Sequence, residues 1–494
     1  MNTADYLLDF GRDDDIAIIT DRTNYTYGDL CAAMQQVARQ LLCLGVEPGD
    51  RVGLLAANSL FWVATYLATM KLGAISVPFS TTLTPEELAE SERFVECRVL
   101  CLQKRYQTRM AKDLRPDLPL VVESEVLSQE VPAGGPEVES VAVDPDQDAA
   151  FMLTSGTTSQ PKVVRVSHRN IQANTDSIVS YLGLTREDRM MVILPFFYCF
   201  GTSLLHTHLR VGGAVVLNNQ FVYPETVIAM MQEYACTGLA GVPSTYQTLL
   251  RNSTFPNRSF PALRKVQQAG GKLPVILIEE LMAALPSAEI FIMYGQTEAT
   301  ARLSYLPPAL LREKLGSIGK AIPGVELRVV NESGRDVKPG EVGEIVARGE
   351  NITLGYYRAP ELNEGKFVDG SLRTGDLATV DEEGFITIVD RLADFIKSYG
   401  HRVSSQQVEA YVMELPDVVS AAAIGVPDLA RGEAIQVYVV LRKGATLTVD
   451  EIMAHCRHRM ATHMVPRDVI ILDALPMNEQ GKVRKAALRE RGAG

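Results

Sequence analysis

Apolar and polar residues alternate along this chain in two registers, one of period 3.6 and one of near-continuous short runs. Arg51–Ala56 (RVGLLA) and Ala74–Pro78 (AISVP) are short apolar runs of the kind a buried strand makes. Phe61–Lys71 (FWVATYLATMK) lies between them, long enough for three helical turns and followed by Gly73 as a stop signal. Strand-like runs recur at Met190–Leu194, Ala214–Leu217 and Ile290–Met293, separated by helical patterns. Such alternation predicts α/β layers. Between Val121 and Asp148 the chain turns acidic and rich in Pro and Gly, which predicts a surface excursion.

Past Gly316 the texture changes. VELRVVNESGRDVKPGEVGEIVARG reads as strands joined by turns, a hairpin-rich β module. From Arg391 onward two helical patterns, Gln406–Glu414 and Val449–Thr462, interleave with strand-like Val418–Val426 and Ala434–Val440. The expected architecture is α/β: a large N-terminal body with a β-rich module, residues 1–390, and a small mobile α+β domain, residues 391–494.

Length supports more than one core, since 494 residues exceed what a single hydrophobic core usually organises. Formal net charge is −12, from 48 basic and 60 acidic residues. That balance speaks against a nucleic-acid or anionic-membrane partner, although it leaves room for a local phosphate pocket. The N-terminus carries no secretory pattern, no run suits a membrane span, and no amphipathic anchor stands out. Seven scattered cysteines do not form a disulfide framework. A cytoplasmic protein is expected.

The segment richest in chemistry is Leu153–Lys162, LTSGTTSQPK, placed after the strand-like AAFML. Backbone N–H groups around Gly156, hydroxyls of Thr154, Ser155, Thr157 and Thr158, and the charge of Lys162 can cradle phosphate oxygens. The spacing is not that of a GxxxxGK[ST] loop, and an ordinary polar turn accounts for it equally well when it is taken alone. His455, Cys456, His458 and His463 cluster on one helical pattern, but their spacings match no zinc signature.

LTSGTTSQPKVVRVSH resembles the phosphate signature of the adenylate-forming superfamily, which includes acyl-CoA synthetases, adenylation domains of nonribosomal peptide synthetases and luciferase. Further segments resemble that family's signatures in order: Gln268–Pro274 (QAGGKLP), Tyr294–Glu298 (YGQTE), Thr374–Asp376 (TGD), Arg391–Arg402 and Pro476–Arg484 (PMNEQGKVR). The resemblance implies ATP and Mg²⁺ as cofactors and a two-step ligase: a carboxylic acid becomes an acyl-adenylate, then passes to a thiol. The thiol would belong to CoA or to the phosphopantetheine of an acyl carrier protein, with an amine as a third possibility and a non-catalytic nucleotide-binding relative as a different class.

By the same resemblance, Glu298 holds Mg²⁺ and Thr297 contacts the α-phosphate. Tyr294 stacks on adenine, Gly295 follows it in the motif, and Gly270 and Gly271 let the backbone approach the opposite face. Asp376 accepts from ribose hydroxyls with Arg391 beside it. Lys482 bridges carboxylate and α-phosphate in the first step, while Lys397 and Gly400 enter the site for the second, Gly400 leaving room for the pantetheine arm.

The chain also departs from the family pattern. Ser159 and Val163 replace common glycines, Ala393 stands at the usual hinge Asp or Lys, and Asp390 replaces a glycine. In Pro195–Gly201 (PFFYCFG), Tyr198 occupies a frequent histidine position beside the acyl pocket. Cys199 stands where amino-acid-activating relatives carry an aspartate for the substrate ammonium. A thiol supplies no such charge, and Phe196, Phe197, Phe200, Thr202 and Ser203 around it point to an aryl or aliphatic acid.

Overall fold

The computed structural model describes residues 1–127, 137–154, 162–391, 395–428, 431–478 and 481–492. Two large sheets form the body. One has six strands in the order Leu120–Val122, Cys97–Leu102, Arg51–Leu55, Ile75–Pro78, Asp148–Thr154 and Lys162–Ser167, with only the last pairing antiparallel. The other has nine, and at its centre Ala214–Leu217, Arg189–Val192, Gly238–Gly241, Lys265–Gln268 and Glu289–Tyr294 run parallel side by side.

Helix Leu60–Lys71 is buried from Phe61 to Lys71, and helix Cys199–Arg210 from Cys199 to Leu209. A helix apolar on every side has to be enclosed on every side. Both contribute to one core cluster with Val52 and Leu54 of the first sheet and Val192 and Val215 of the second. They are the filling between two sheets. Ser59 caps the first of them, its hydroxyl accepting from Trp62 N at 3.2 Å.

Each strand expected in the body is present within two residues of its expected ends. The stretch 121–148 departs from expectation in part. Leu120–Val122 pairs parallel with Cys97–Leu102 as an edge strand, and Val141 N donates to Lys71 O at 2.8 Å. Three residues are too short to show periodicity, so only pairing with a neighbour reveals the strand. Residues 128–136 of the excursion lie outside the described residues.

The β module follows as expected. Val325–Val330 pairs antiparallel with Gly343–Gly349, which pairs with Ser371–Val380, and Ile386–Arg391 closes on that last strand. In the C-terminal part, Val418–Asp428 and Gly432–Leu441 form the central hairpin, flanked by helices Ser405–Val412 and Val449–Arg459. Asp468–Ile471, the hairpin of Phe395–Ser398 and His401–Ser404, and helix Lys485–Gly492 join them. The final helix is anchored: Lys485 Nζ meets Ser405 Oγ and Glu409 Oε1, each at 2.7 Å, and Leu488 is fully buried.

Arg251 ties this C-terminal part to the body. Its guanidinium, almost wholly buried, forks onto Glu280 at 3.1 and 2.6 Å. Its remaining nitrogen donates to the carbonyls of Met413 and Leu415, just past the end of helix Ser405–Val412, and of Val418, the first residue of the next strand. Arg251→Ala strips all of these partners at once and leaves Glu280 half-exposed. The loss should be on the order of 2–4 kcal/mol, read as a lower urea midpoint, with Arg251→Lys retaining only part of the difference.

Candidate active site

Parallel strands deliver the loops that follow them to one edge of the sheet, the usual place for a ligand in an α/β protein. Here four such loops converge. Arg189–Val192 leads toward Tyr198 and helix Cys199–Arg210; Gly238–Gly241 leads to Val242–Ser244; Lys265–Gln268 leads to Gly270 and Gly271; Glu289–Tyr294 leads to Gly295–Glu298.

The Tyr294 ring is buried at its strand's end, and its hydroxyl donates to Asp376 Oδ2 at 2.6 Å. Asp376, itself buried, lies opposite Arg391 in the antiparallel ladder. Two expected nucleotide residues, 82 positions apart in the sequence, thus meet. Nearby, Gln268 Nε2 donates to Gly271 O at 2.8 Å, and Lys272 Nζ reaches Ile388 O at 3.1 Å, fastening the glycine loop to the β module. Gln268 Oε1 and Gln296 Nε2 are buried without a hydrogen-bond partner among the described residues. A buried amide acceptor and donor left open at the sheet edge suit a polar guest such as a purine.

Thr297 Oγ1 donates to Cys199 Sγ at 3.4 Å. The next residue, Glu298, accepts from Tyr356 Oη at 2.5 Å, and its carbonyl accepts from Thr353 N and Oγ1. Burial, reinforced by the Glu298 charge, holds the Tyr356 phenol protonated, so it can only donate. A fixed carboxylate at the mouth of the site matches the oxygen-donor preference of Mg²⁺, which takes one or two carboxylates and completes its shell with phosphate and water. Tyr356 carries no motif; its role becomes visible only when the chain folds it back onto Glu298.

Lys482 enters from the far end of the chain. Ser244 Oγ donates to Gly481 O at 2.8 Å, and the turn is closed by Lys482 N donating to Asn478 Oδ1 at 2.9 Å. Gly481 has φ +68°, and a Cβ there would stand 2.7 Å from Ser244 Oγ and 2.8 Å from a Val242 methyl. Only glycine permits that approach. Lys482 Nζ then lies 5.9 Å from the Tyr198 ring centroid. Burial pushes the Cys199 thiol up, while Thr297 and the Lys482 charge pull it back only in part. Cys199 therefore stays a neutral thiol rather than a nucleophile.

Thr154 and Lys162 face each other across the strand pair that flanks the phosphate-signature loop, and Thr154 Oγ1 donates to Lys162 O at 3.4 Å. Ser155, Gly156, Thr157, Thr158 and Ser159 lie outside the described residues, as does Ala393. Lys397 and Gly400 stand exposed on the Phe395–Ser398 and His401–Ser404 hairpin, apart from the cluster around Tyr198 and Lys482. Tyr399 and Gly400 both take positive φ, at 52° and 76°, as a tight hairpin turn demands. Cys456 is buried, and His455 Nε2 faces Tyr411 O at 2.9 Å and Glu414 Oε2 at 3.3 Å.

Residues 11–357 match the family model for AMP-binding enzymes, and residues 407–482 match the model for their C-terminal domain. An oxalate–CoA ligase of Arabidopsis thaliana is 32% identical over 94% of this chain and 93% of its own length. A feruloyl-CoA synthase of an Amycolatopsis species is 32% identical over 95% and 94%. Among solved structures, the o-succinylbenzoate CoA synthetase of Bacillus subtilis in complex with ATP and magnesium ion superposes with a TM-score of 0.85. It is 28% identical, and the match covers 100% of this chain and 99% of that one. With the site geometry, the two matched models and relatives aligned nearly end to end, this chain belongs to the AMP-binding enzyme family, the adenylate-forming superfamily.

Proposed function

We propose that the chain is an AMP-forming carboxylate–CoA ligase in which Lys482 serves the first half-reaction and the Lys397–Gly400 hairpin the second. One observation carries the reading: a lysine from the extreme C-terminal part lies beside Tyr198 and within electrostatic reach of Cys199, to which Thr297 donates, where the expected nucleotide loops converge. The CoA ligases among its relatives support the acceptor.

In the first step a carboxylate oxygen attacks the α-phosphorus of ATP; that O–P bond forms, the bond to the β-phosphate oxygen breaks, and pyrophosphate leaves. Charge accumulates on the α-phosphate oxygens. Lys482, a point charge in a site shielded from water, offsets it most in the transition state. Thr297 donates to the same phosphate, Tyr294 and the Gly270–Gly271 turn hold the purine, and Asp376 accepts from the ribose. The loop from Thr154 to Lys162 would wrap the β- and γ-phosphates. Glu298, in the orientation that Tyr356 fixes, would hold Mg²⁺, which would supply charge neutralisation for the departing pyrophosphate.

In the second step the CoA thiolate attacks the acyl carbon, its C–O bond to phosphate breaks, and AMP leaves. Activation has replaced a poor leaving group by a good one. Lys482 and the hairpin cannot fill one site together, so residues 391–494 move as a domain between the steps. Gly400 suits the second role, because no atom stands within 4 Å of the Cβ position it leaves empty.

The first test is AMP release from ATP over a panel of aryl, aliphatic and dicarboxylic acids, with and without CoA. Release that requires CoA and yields a thioester is expected. Adenylate that forms but is not discharged by CoA would assign the acceptor to a carrier protein or an amine. Lys482→Ala should slow adenylation about 100- to 1,000-fold while leaving thioester formation from supplied acyl-AMP nearly unchanged; equal loss of both would sink its assigned role. Gly481→Val, blocked by Ser244 and Val242, should show the same split more weakly. A bulky residue at Gly400 should reverse it, slowing the thioester step alone.

A further inference from the structure

Directly behind the motif residues Thr297 and Glu298 the backbone is strained. Thr300 takes φ 64° and ψ −60°, and Ala301 N donates back to Ala299 O at 2.7 Å. That is a γ-turn of the positive-φ kind, rare in proteins and least suited to a β-branched residue. The reversal is so tight that a Cβ on Gly295 would stand 1.9 Å from Ala301 O. Strain of this kind persists only where the surroundings enforce it.

Asn351, 2% exposed, enforces it from 51 positions away. Its Nδ2 donates to Arg302 O at 2.8 Å and Ala299 O at 3.4 Å, and its own carbonyl accepts from Thr300 Oγ1 at 2.7 Å. Asn174 Nδ2 adds a bond to Arg302 O at 3.1 Å. Asn351 is held in its turn, because Asn170 Nδ2 donates to the carbonyls on both sides of it, Glu350 O at 2.7 Å and Ile352 O at 2.8 Å.

The segment that begins at Asn351 also reaches Glu298. Thr353 donates to Glu298 O from its N and Oγ1, at 3.1 and 3.0 Å, and Tyr356 donates to the Glu298 carboxylate. Further bonds join the segment to strand Lys162–Ser167. Leu354 N donates to Arg165 O at 3.0 Å, Arg165 N to Gly355 O at 2.9 Å and Tyr357 N to Val163 O at 2.8 Å. That strand follows the phosphate-signature loop in the sequence. Residues 351–357 thus set the separation between Glu298 and the strand that leaves the loop. Tyr356 fixes how the carboxylate is turned; Asn351 fixes where the turn beneath it lies.

We propose that Asn351 is a positioning residue, which through the strained turn at Thr300 places Glu298 for a divalent cation bound together with a triphosphate. The inference rests on the ligase reading. Mg²⁺ demands near-ideal octahedral geometry at short range, so a small displacement of its carboxylate is felt first in metal-dependent binding. The purine side takes its place from strand ends, at Tyr294 and before Gly270, and is expected to be spared.

The test is calorimetric titration of the full-length protein with ATP, without acid, in Mg²⁺ and in a chelator. Asn351→Ala should weaken binding about 10-fold in Mg²⁺ and less than about 2-fold without it, and slow adenylation about 10- to 100-fold with the KM for the acid unchanged. Thr353→Val, which removes only one hydroxyl bond to Glu298 O, should show the same Mg²⁺-specific loss on a smaller scale. Glycine accepts positive φ without strain, so adding Thr300→Gly to Asn351→Ala should recover part of the lost Mg²⁺–ATP affinity. An Asn351 that serves stability alone would lower the melting temperature while both ATP affinities fall alike, and the two substitutions would add. That outcome, or Mg²⁺–ATP binding unchanged in Asn351→Ala, overturns the proposal and leaves the ligase intact. A wild type that binds no ATP under either condition overturns the ligase reading, and this inference with it.

Discussion

The hydrogen bond from Ser244 to the carbonyl of Gly481, 2.8 Å long, is the contact on which the assembled site depends. The expected nucleotide residues Gly270, Gly271, Tyr294 and Thr297 stand at one sheet edge of the body, with Asp376 brought to them from the β module. The cation beside Tyr198 and Cys199 comes from neither. It arrives on a turn whose backbone must pass within van der Waals range of Val242 and Ser244, and a side chain at position 481 would hold it off. A hydroxyl, a carbonyl and a missing Cβ therefore decide whether Lys482 is in the site. Such a contact is selective yet modest in strength, about 1 kcal/mol for a neutral hydrogen bond, which suits a piece that must leave again.

Arg251 works on the same boundary with a different character. Glu280 orients its guanidinium within the body, and three charge-assisted bonds to carbonyls cross the boundary, so the domain movement proposed above has to release them together with Lys482. The two contacts occupy the two ends of one short helix, Pro243–Arg251. That helix faces the C-terminal part along its whole length, and its own place is set by the parallel strand that precedes it. The geometry of the reacting centre is thus passed down from sheet to helix to turn.

Much of this was legible in the sequence, for a physical reason. Strands such as Ala214–Leu217 are buried on both faces, so they appear as short apolar runs whatever surrounds them. Tyr294 ends its strand, Thr297 and Glu298 follow it in a short turn, and Asp376 stands in mid-strand; their motifs made them candidates before folding brought Tyr294 to Asp376. What could not be read were partners supplied by topology. Nothing around Tyr356 announces that it will orient Glu298, 58 positions away. Leu120–Val122 is a strand only because Cys97–Leu102 lies beside it. The burial of Arg302 is likewise a property of the fold alone.

The choice of cysteine at position 199 bears on all of this. The site holds two fixed carboxylates, Glu298 and Asp376, each already engaged by a tyrosine hydroxyl. A third acid at 199 would face Lys482 directly and draw its ammonium away from an incoming phosphate. The thiol is of similar size, is kept protonated by burial and takes its only described hydrogen bond from Thr297. Its neutrality adds no further negative charge to the wall beside Lys482.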